Sequence, residues 1–289
     1  MPQNGRHAGT QGPAPDSATG LRRVILSALR TRFYLPLLSE AGLGSPQALE
    51  REAPDLDLLR KLPLARLSGK GFSRSAFENP EIPPPSPDPL HWPLPAPKKA
   101  ALLAPGFPQC RGVRVIRVEE SARLRSFAPE ALAGPVSELR RLVEPRSYAP
   151  RRLPRLTHSM LAFLTFPQLQ LSRETRDLLW DAFGVPVFVQ VLSPGGRLLA
   201  WECEAHDGYH ILTENAVFEN LATEDGTELA VTCLADLRLP VLRMAAGWSG
   251  RVTSDPCACG RMGQRLVGPR ARMGRKPQAT AASAACAAD

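Results

Sequence analysis

Apolar residues recur at helical spacing near the start of the chain and at strand spacing over its second half. Leu21, Val24, Ile25, Ala28 and Leu29 lie three and four apart, which predicts a helix over residues 21–34. Pro36, with no N–H for the ladder, breaks or kinks it. Residues 56–62 read as a further short turn of helix before Pro63. Between Asn79 and Pro108 the periodicity gives way to eleven prolines, Pro83-Pro84-Pro85 among them. That density disfavours helix and central strand and predicts an extended, polyproline-type linker, in which Trp92 is a candidate to dock onto the folded part.

The pattern resumes with Val113, Val115, Ile116 and Val118, β-branched residues that predict a strand over 113–118. Val136, Leu139, Leu142 and Val143 predict a helix over 135–143, with Pro135 at a tolerated first-turn position. Residues 160–166 are an apolar run that suits helix or strand. Ser172 can cap a helix that carries Leu178, Leu179 and Trp180 and stops at Phe183-Gly184. A buried strand over 185–191 follows, then strands over 198–203, 209–212, 217–219, 228–234 and 241–244. Asp207-Gly208 and Asp225-Gly226 mark turns between them. The expected fold is therefore α/β, with the α/β core passing into a small β-meander. The expected division is a disordered N-terminus (1–20), a helical segment (21–75), a Pro-rich linker (76–108), the α/β core with its β unit (109–268) and a disordered basic tail (269–289).

Composition narrows the function. The chain has 289 residues, 43% of them hydrophobic, and its 30 prolines are roughly double average usage. No run of eighteen apolar residues and no charged start followed by an apolar stretch is present, which argues against a membrane span and a secretory signal. Six cysteines, two as Cys-x-Cys, suit a reducing compartment, so a cytoplasmic protein is expected. The net charge of +8 invites a nucleic-acid reading. From Arg261 onward, however, six basic residues face only Asp289, which places most of the excess in the tail. Without interleaved aromatics or a recognition helix this reads as a solvated charge run, not a nucleic-acid site.

The candidate chemistry lies in two separated stretches. Cys203 precedes His210 by seven residues, with His206 between them, and Cys257-Ala258-Cys259-Gly260-Arg261 follows more than forty residues on. Three thiols and one imidazole make the closed tetrahedral set that structural zinc prefers. Such a metal would clamp the β-rich segment together. Cys233 reads as a small buried apolar residue, and Cys110 and Cys286 as incidental.

These stretches belong to a longer series of motifs: Phe183-Gly184-Val185-Pro186-Val187, Glu202-Cys203, Gly208-Tyr209-His210 and Phe218-Glu219. The series continues with Gly226-Thr227-Glu228-Leu229-Ala230-Val231-Thr232-Cys233-Leu234, Pro240-Val241-Leu242-Arg243 and Cys257-Ala258-Cys259-Gly260-Arg261. In this order they resemble the C-terminal half of the large domain of phenylacetate–CoA ligases and coenzyme F390 synthetases, of the adenylate-forming superfamily. Arg32-Phe33-Tyr34, Glu40-Ala41-Gly42 and Leu62-Pro63 resemble the opening of these ligases, whereas residues 80–160 match nothing in them. The resemblance implies zinc on Cys203, His210, Cys257 and Cys259, with His206 falling in the preceding turn, and it makes Arg243 the candidate contact to nucleotide, an ion-pair partner being the alternative for it.

The resemblance also marks what has been replaced. The family's phosphate-binding loop has only Leu67-Ser68-Gly69-Lys70-Gly71-Phe72-Ser73 as a counterpart, short and in the wrong place. The tyrosine and glutamate of its Tyr-x-x-x-Glu signature fall at Val191 and Gly195, and the acid that binds the ribose hydroxyls falls near Gly247-Trp248. The mobile lid with its catalytic lysine has no counterpart, Lys276 lying in tail sequence. The expectation is a partial large domain without lid, a degenerate and non-catalytic ligase relative with no catalytic residues. Its zinc is structural, binding of ATP, AMP or CoA is in doubt, and its role is binding or scaffolding. A sheet face left uncovered by the missing half would either seat a protein partner or a second copy, or be filled by a repurposed N-terminal half. The alternative is an acid–CoA ligase that forms an acyl-adenylate together with a second chain.

Overall fold

The computed structural model describes residues 17–52, 56–66, 73–86, 88–104, 112–144, 153–224 and 226–271. Five short helices lead the chain: α1 (Ser17–Ala28), α2 (Tyr34–Glu40), α3 (Pro46–Glu50), α4 (Leu56–Lys61) and α5 (Arg74–Phe77). Strands β1 (Ala100–Leu102) and β2 (Val113–Val115), helix α6 (Ser121–Phe127), strand β3 (Ala131–Pro135) and helix α7 (Val136–Val143) follow. Next come β4 (Met160–Thr165), α8 (Arg173–Phe183), β5 (Val187–Leu192), β6 (Leu198–Glu202) and β7 (Tyr209–Ile211). The last elements are β8 (Ala216–Thr223), β9 (Gly226–Cys233), β10 (Val241–Ala245), β11 (Trp248–Thr253) and β12 (Arg265–Ala271).

Nine strands form one sheet in the order β11-β12-β7-β6-β5-β4-β3-β1-β2, and β10-β9-β8 form a second. β1 to β5 run parallel to their neighbours, whereas β6, β7, β12 and β11 pair antiparallel. The apolar run at 160–166 is thus a central strand, which needs apolar residues on both faces. Alternation divides them: Met160, Ala162, Leu164, Val187, Val189 and Val191 enter the larger core, while Leu161, Phe163, Phe188 and Leu192 enter the second. Helix α8 begins where Ser172 Oγ accepts the N–H of Thr175 at 3.2 Å and ends at Gly184, whose φ of 66° suits glycine.

Three expectations need correction. The first helix stops at Ala28, because the Thr31 hydroxyl donates to the Ala28 carbonyl at 2.8 Å and accepts the N–H of Tyr34 at 3.2 Å. Pro36 then sits in the first turn of α2, where its missing N–H costs nothing. The Pro-rich segment 76–108 is not a free linker. Its proline-free window contributes β1, and Leu90, Trp92 and Leu94 pack on the second core. Asp88 accepts the N–H of Leu198 at 2.7 Å, and Gln190 donates to the His91 carbonyl at 2.6 Å. On this sheet face the chain itself supplies cover, one of the two outcomes expected for it. The ends of the expected division also shift, since α1 begins at Ser17 and β12 runs through Ala271. The rest of both terminal segments lies outside the described residues, as do residues 67–72, Cys110, Lys276 and Cys286.

The leading helices dock on the small sheet: the Leu242 N–H donates to Tyr34 Oη at 2.9 Å, and Ala65 exchanges backbone bonds with Arg243 and Ala245. Among the described residues no helix is long and apolar enough to cross a membrane.

Candidate functional site

Four neighbouring antiparallel strands bring the separated cysteines together. Cys203 follows the last residue of β6, His210 lies on β7, and Cys257 and Cys259 lie between β11 and β12. Trp201 on β6 faces His210 on β7, which faces Arg265 on β12, so the register places these ends side by side. Gly208, at φ 84°, makes the turn into β7, and a side chain there would meet the Leu266 carbonyl at 2.3 Å.

The Cys203 and Cys257 sulfurs are 3.6 Å apart, and Cys259 Sγ is 3.3 Å from His210 Nε2. All four donor atoms lie within 4.8 Å of one another. A tetrahedral zinc with bonds of about 2.3 Å to sulfur and about 2.0–2.1 Å to nitrogen has edges of roughly 3.5–3.8 Å, so the quartet has the right size. Cys203, Cys257 and His210 are buried and Cys259 partly so. Burial pushes the Cys203 thiol up to about 12. Burial also acts upward on Cys259, but the Arg261 N–H and side chain and the two neighbouring thiols overcome it and bring it to about 7. Burial, then Arg261 and Arg265, lower His210, which keeps the imidazole in the neutral form a metal needs. Three thiolates, a dication and these two arginines make a near-balanced charge set.

Groups around the quartet fix it. Trp201 stacks on His210 at 4.9 Å and lies against His91 at 3.9 Å, with the Arg261 guanidinium 5.3 Å over its ring. Buried Arg265 donates to the carbonyls of Asp207 (2.8 Å), Asp255 (3.3 Å) and Pro256 (3.2 Å), tying the two cysteine-bearing turns together. His206 stands apart: its Nδ1 lies 3.0 Å from Glu202 Oε1 and its ring stacks on Phe188. Cys233 is fully buried on β9, and burial raises it to about 12.

The positions that the resemblance matched to nucleotide binding have partners or burial within the chain. Val191 is buried in β5. A side chain at Gly195 would begin 2.3 Å from Asp236 Oδ2. The Asp236 carboxylate accepts from Ser193 Oγ at 2.6 Å, from the Gly195 N–H at 2.8 Å and from the Leu239 N–H at 3.0 Å. Trp248 is buried and donates its indole N–H to the Pro167 carbonyl at 2.8 Å. Arg243, at φ 38°, donates to the carbonyls of Arg60 and Leu62, each at 2.7 Å, and lies 3.4 Å from Glu219.

No protein-family model and no curated protein sequence matches the chain. Solved structures do. An open conformation of 2-hydroxyisobutyryl-CoA ligase in complex with 2-HIB-AMP and CoA superposes with a TM-score of 0.57 at 15% identity, over 89% of this chain and 69% of that one. The same ligase in the thioesterification state gives 0.58 at 14% identity, over 87% and 66%. This chain thus spans about two thirds of the length of the enzyme it matches. The likeness is one of fold: the chain has the fold of an acyl–CoA ligase.

Proposed function

We propose that this protein is a zinc-bearing, degenerate relative of the phenylacetate–CoA ligases that acts by binding or scaffolding and does not adenylate. The observation that carries the reading is the Asp236 carboxylate filling the space at Gly195, where the resemblance places the glutamate that organises Mg²⁺ and adenylate. A carboxylate turned inward onto three donors is not available to a metal–nucleotide complex. Trp248 supports the reading, since an indole has no acceptor for ribose hydroxyls. Losing one such group costs on the order of a hundredfold in rate. In this reading zinc on Cys203, His210, Cys257 and Cys259 is structural and ties β6, β7 and the β11–β12 turn together.

Calorimetry of the intact, metal-loaded protein with ATP and with AMP, Mg²⁺ present, tests this. No heat at millimolar nucleotide is expected, and micromolar binding overturns the reading. The alternative is a ligase completed by a second chain, with Arg243 as its nucleotide contact. It rests on the likeness of fold to the matched ligase, and acyl-AMP formation on mixing with the second chain would establish it.

A further inference from the structure

At the opposite end of β5 from Gly195, and bordering the turn that follows Cys203, a cleft of ≈470 Å³ opens beside α8. Arg176, Asp177 and Trp180 of α8 form one wall, Pro186 and Val187 the floor, and Glu202 and His206 the other wall. Its basic group is already used. Both Glu202 oxygens accept from Arg176 Nη2, at 3.1 and 3.0 Å, and the other terminal nitrogen of Arg176 donates to the Val187 carbonyl. Glu202 also accepts the Val189 N–H at 2.9 Å. The arginine charge is thereby paired with Glu202 inside the wall.

What remains facing the cleft is of one kind. Trp180 is 52% exposed, one of three large apolar side chains so exposed among the described residues. Asp177 stands one turn before it on the same helix face. His206 is held by its stack on Phe188 and by Nδ1 against Glu202, and Nε2 has no partner among the described residues. A π-face, a carboxylate and an imidazole nitrogen above an apolar floor complement a cation that carries N–H donors. A purely apolar guest would desolvate Asp177 without compensation.

We propose that this cleft binds a primary ammonium on an apolar stem, with Trp180 facing the cation, Asp177 and His206 accepting its N–H donors, and Pro186 and Val187 receiving the stem. Arg173, 91% exposed and 3.6 Å from Asp177, is the native occupant of that carboxylate and is displaced easily, as exposed pairs contribute little. A free amine and a lysine side chain present the same chemistry.

Calorimetry of the full chain with n-butylammonium, n-butanol, butyrate and Nα-acetyl-lysine methylamide tests the proposal. Butylammonium binds in the millimolar range, as expected for so few atoms, while butanol and butyrate do not. Trp180→Leu and Asp177→Asn, both at exposed helix positions, each weaken it about three- to tenfold. Tighter binding of the lysine amide than of butylammonium identifies a peptide side chain as the source, and weaker binding a free amine; both support the site. Equal binding of butyrate, affinity unchanged in both variants, or no binding of either ammonium at its highest soluble concentration overturns it.

Discussion

Cys203, His210, Cys257 and Cys259 make contact only because four strand ends are in register, so each ligand is as much a product of the sheet as of its own type. Zinc on this quartet predicts about one metal per chain in the purified protein, measured by elemental analysis. Cys203→Ser and Cys257→Ser each abolish that content and lower stability by on the order of 2–5 kcal/mol, because a buried site then loses its cross-link. His206→Ala leaves the content unchanged, since its imidazole belongs to the Glu202 wall. Undiminished zinc in both serine variants would place the metal elsewhere. The quartet was legible in the sequence because thiols at short spacing are rare and chemically distinctive. Arg265 and Asp236 were not, because their partners are remote: Arg265 reaches back to Asp207, and Asp236 reaches Ser193 and Gly195 some forty residues before it. An ordinary charged residue in a loop carries no periodic signal of such a role.

At the level of elements, the turn after strand β5 is set by one carboxylate. The Asp236 carboxylate sits where a Cβ on Gly195 would be, and three donors keep it there. Gly195→Ala therefore costs about 1–3 kcal/mol in urea unfolding, the range for overpacking a tight site. In an Asp236→Ala background the same change costs only tenths, so the two are strongly non-additive. Equal costs in both backgrounds would show that the carboxylate does not fill the space. The elements that were easy to read are the strongly periodic ones, α8 and strands β5 to β10, whereas the run that forms β4 suited helix or strand. Those that were missed have weak signals for physical reasons. β1 is three residues long and flanked by prolines, and β12 holds Gly268, Pro269 and two arginines yet is drawn into the sheet between β7 and β11. β3 is Ala-Leu-Ala-Gly-Pro, poor in strand-forming residues, but its Gly134 permits an approach in which a Cβ would lie 2.9 Å from Leu103 Cβ.

For the whole molecule, the Pro-rich segment changes role from spacer to cover. A central parallel sheet needs both faces buried, and here the second face is closed by Leu90, Trp92 and Leu94 of the same chain, tethered through Asp88 and His91. Prolines suit such a cover, because a stretch with few backbone N–H groups can lie across a sheet face leaving few donors unsatisfied. If the segment is a cover, removing its apolar side chains uncovers the face for self-association. Leu90→Ala combined with Trp92→Ala is expected to convert the chain, in light scattering after size exclusion, from its native state to higher and concentration-dependent mass, with increased binding of an apolar dye. Leu35→Ala, at an exposed helix position away from this face, serves as the control and leaves the mass unchanged. A double variant with native mass and no added dye binding would mean that the segment rests on the sheet without sealing it, and would favour the other outcome, a partner on that face.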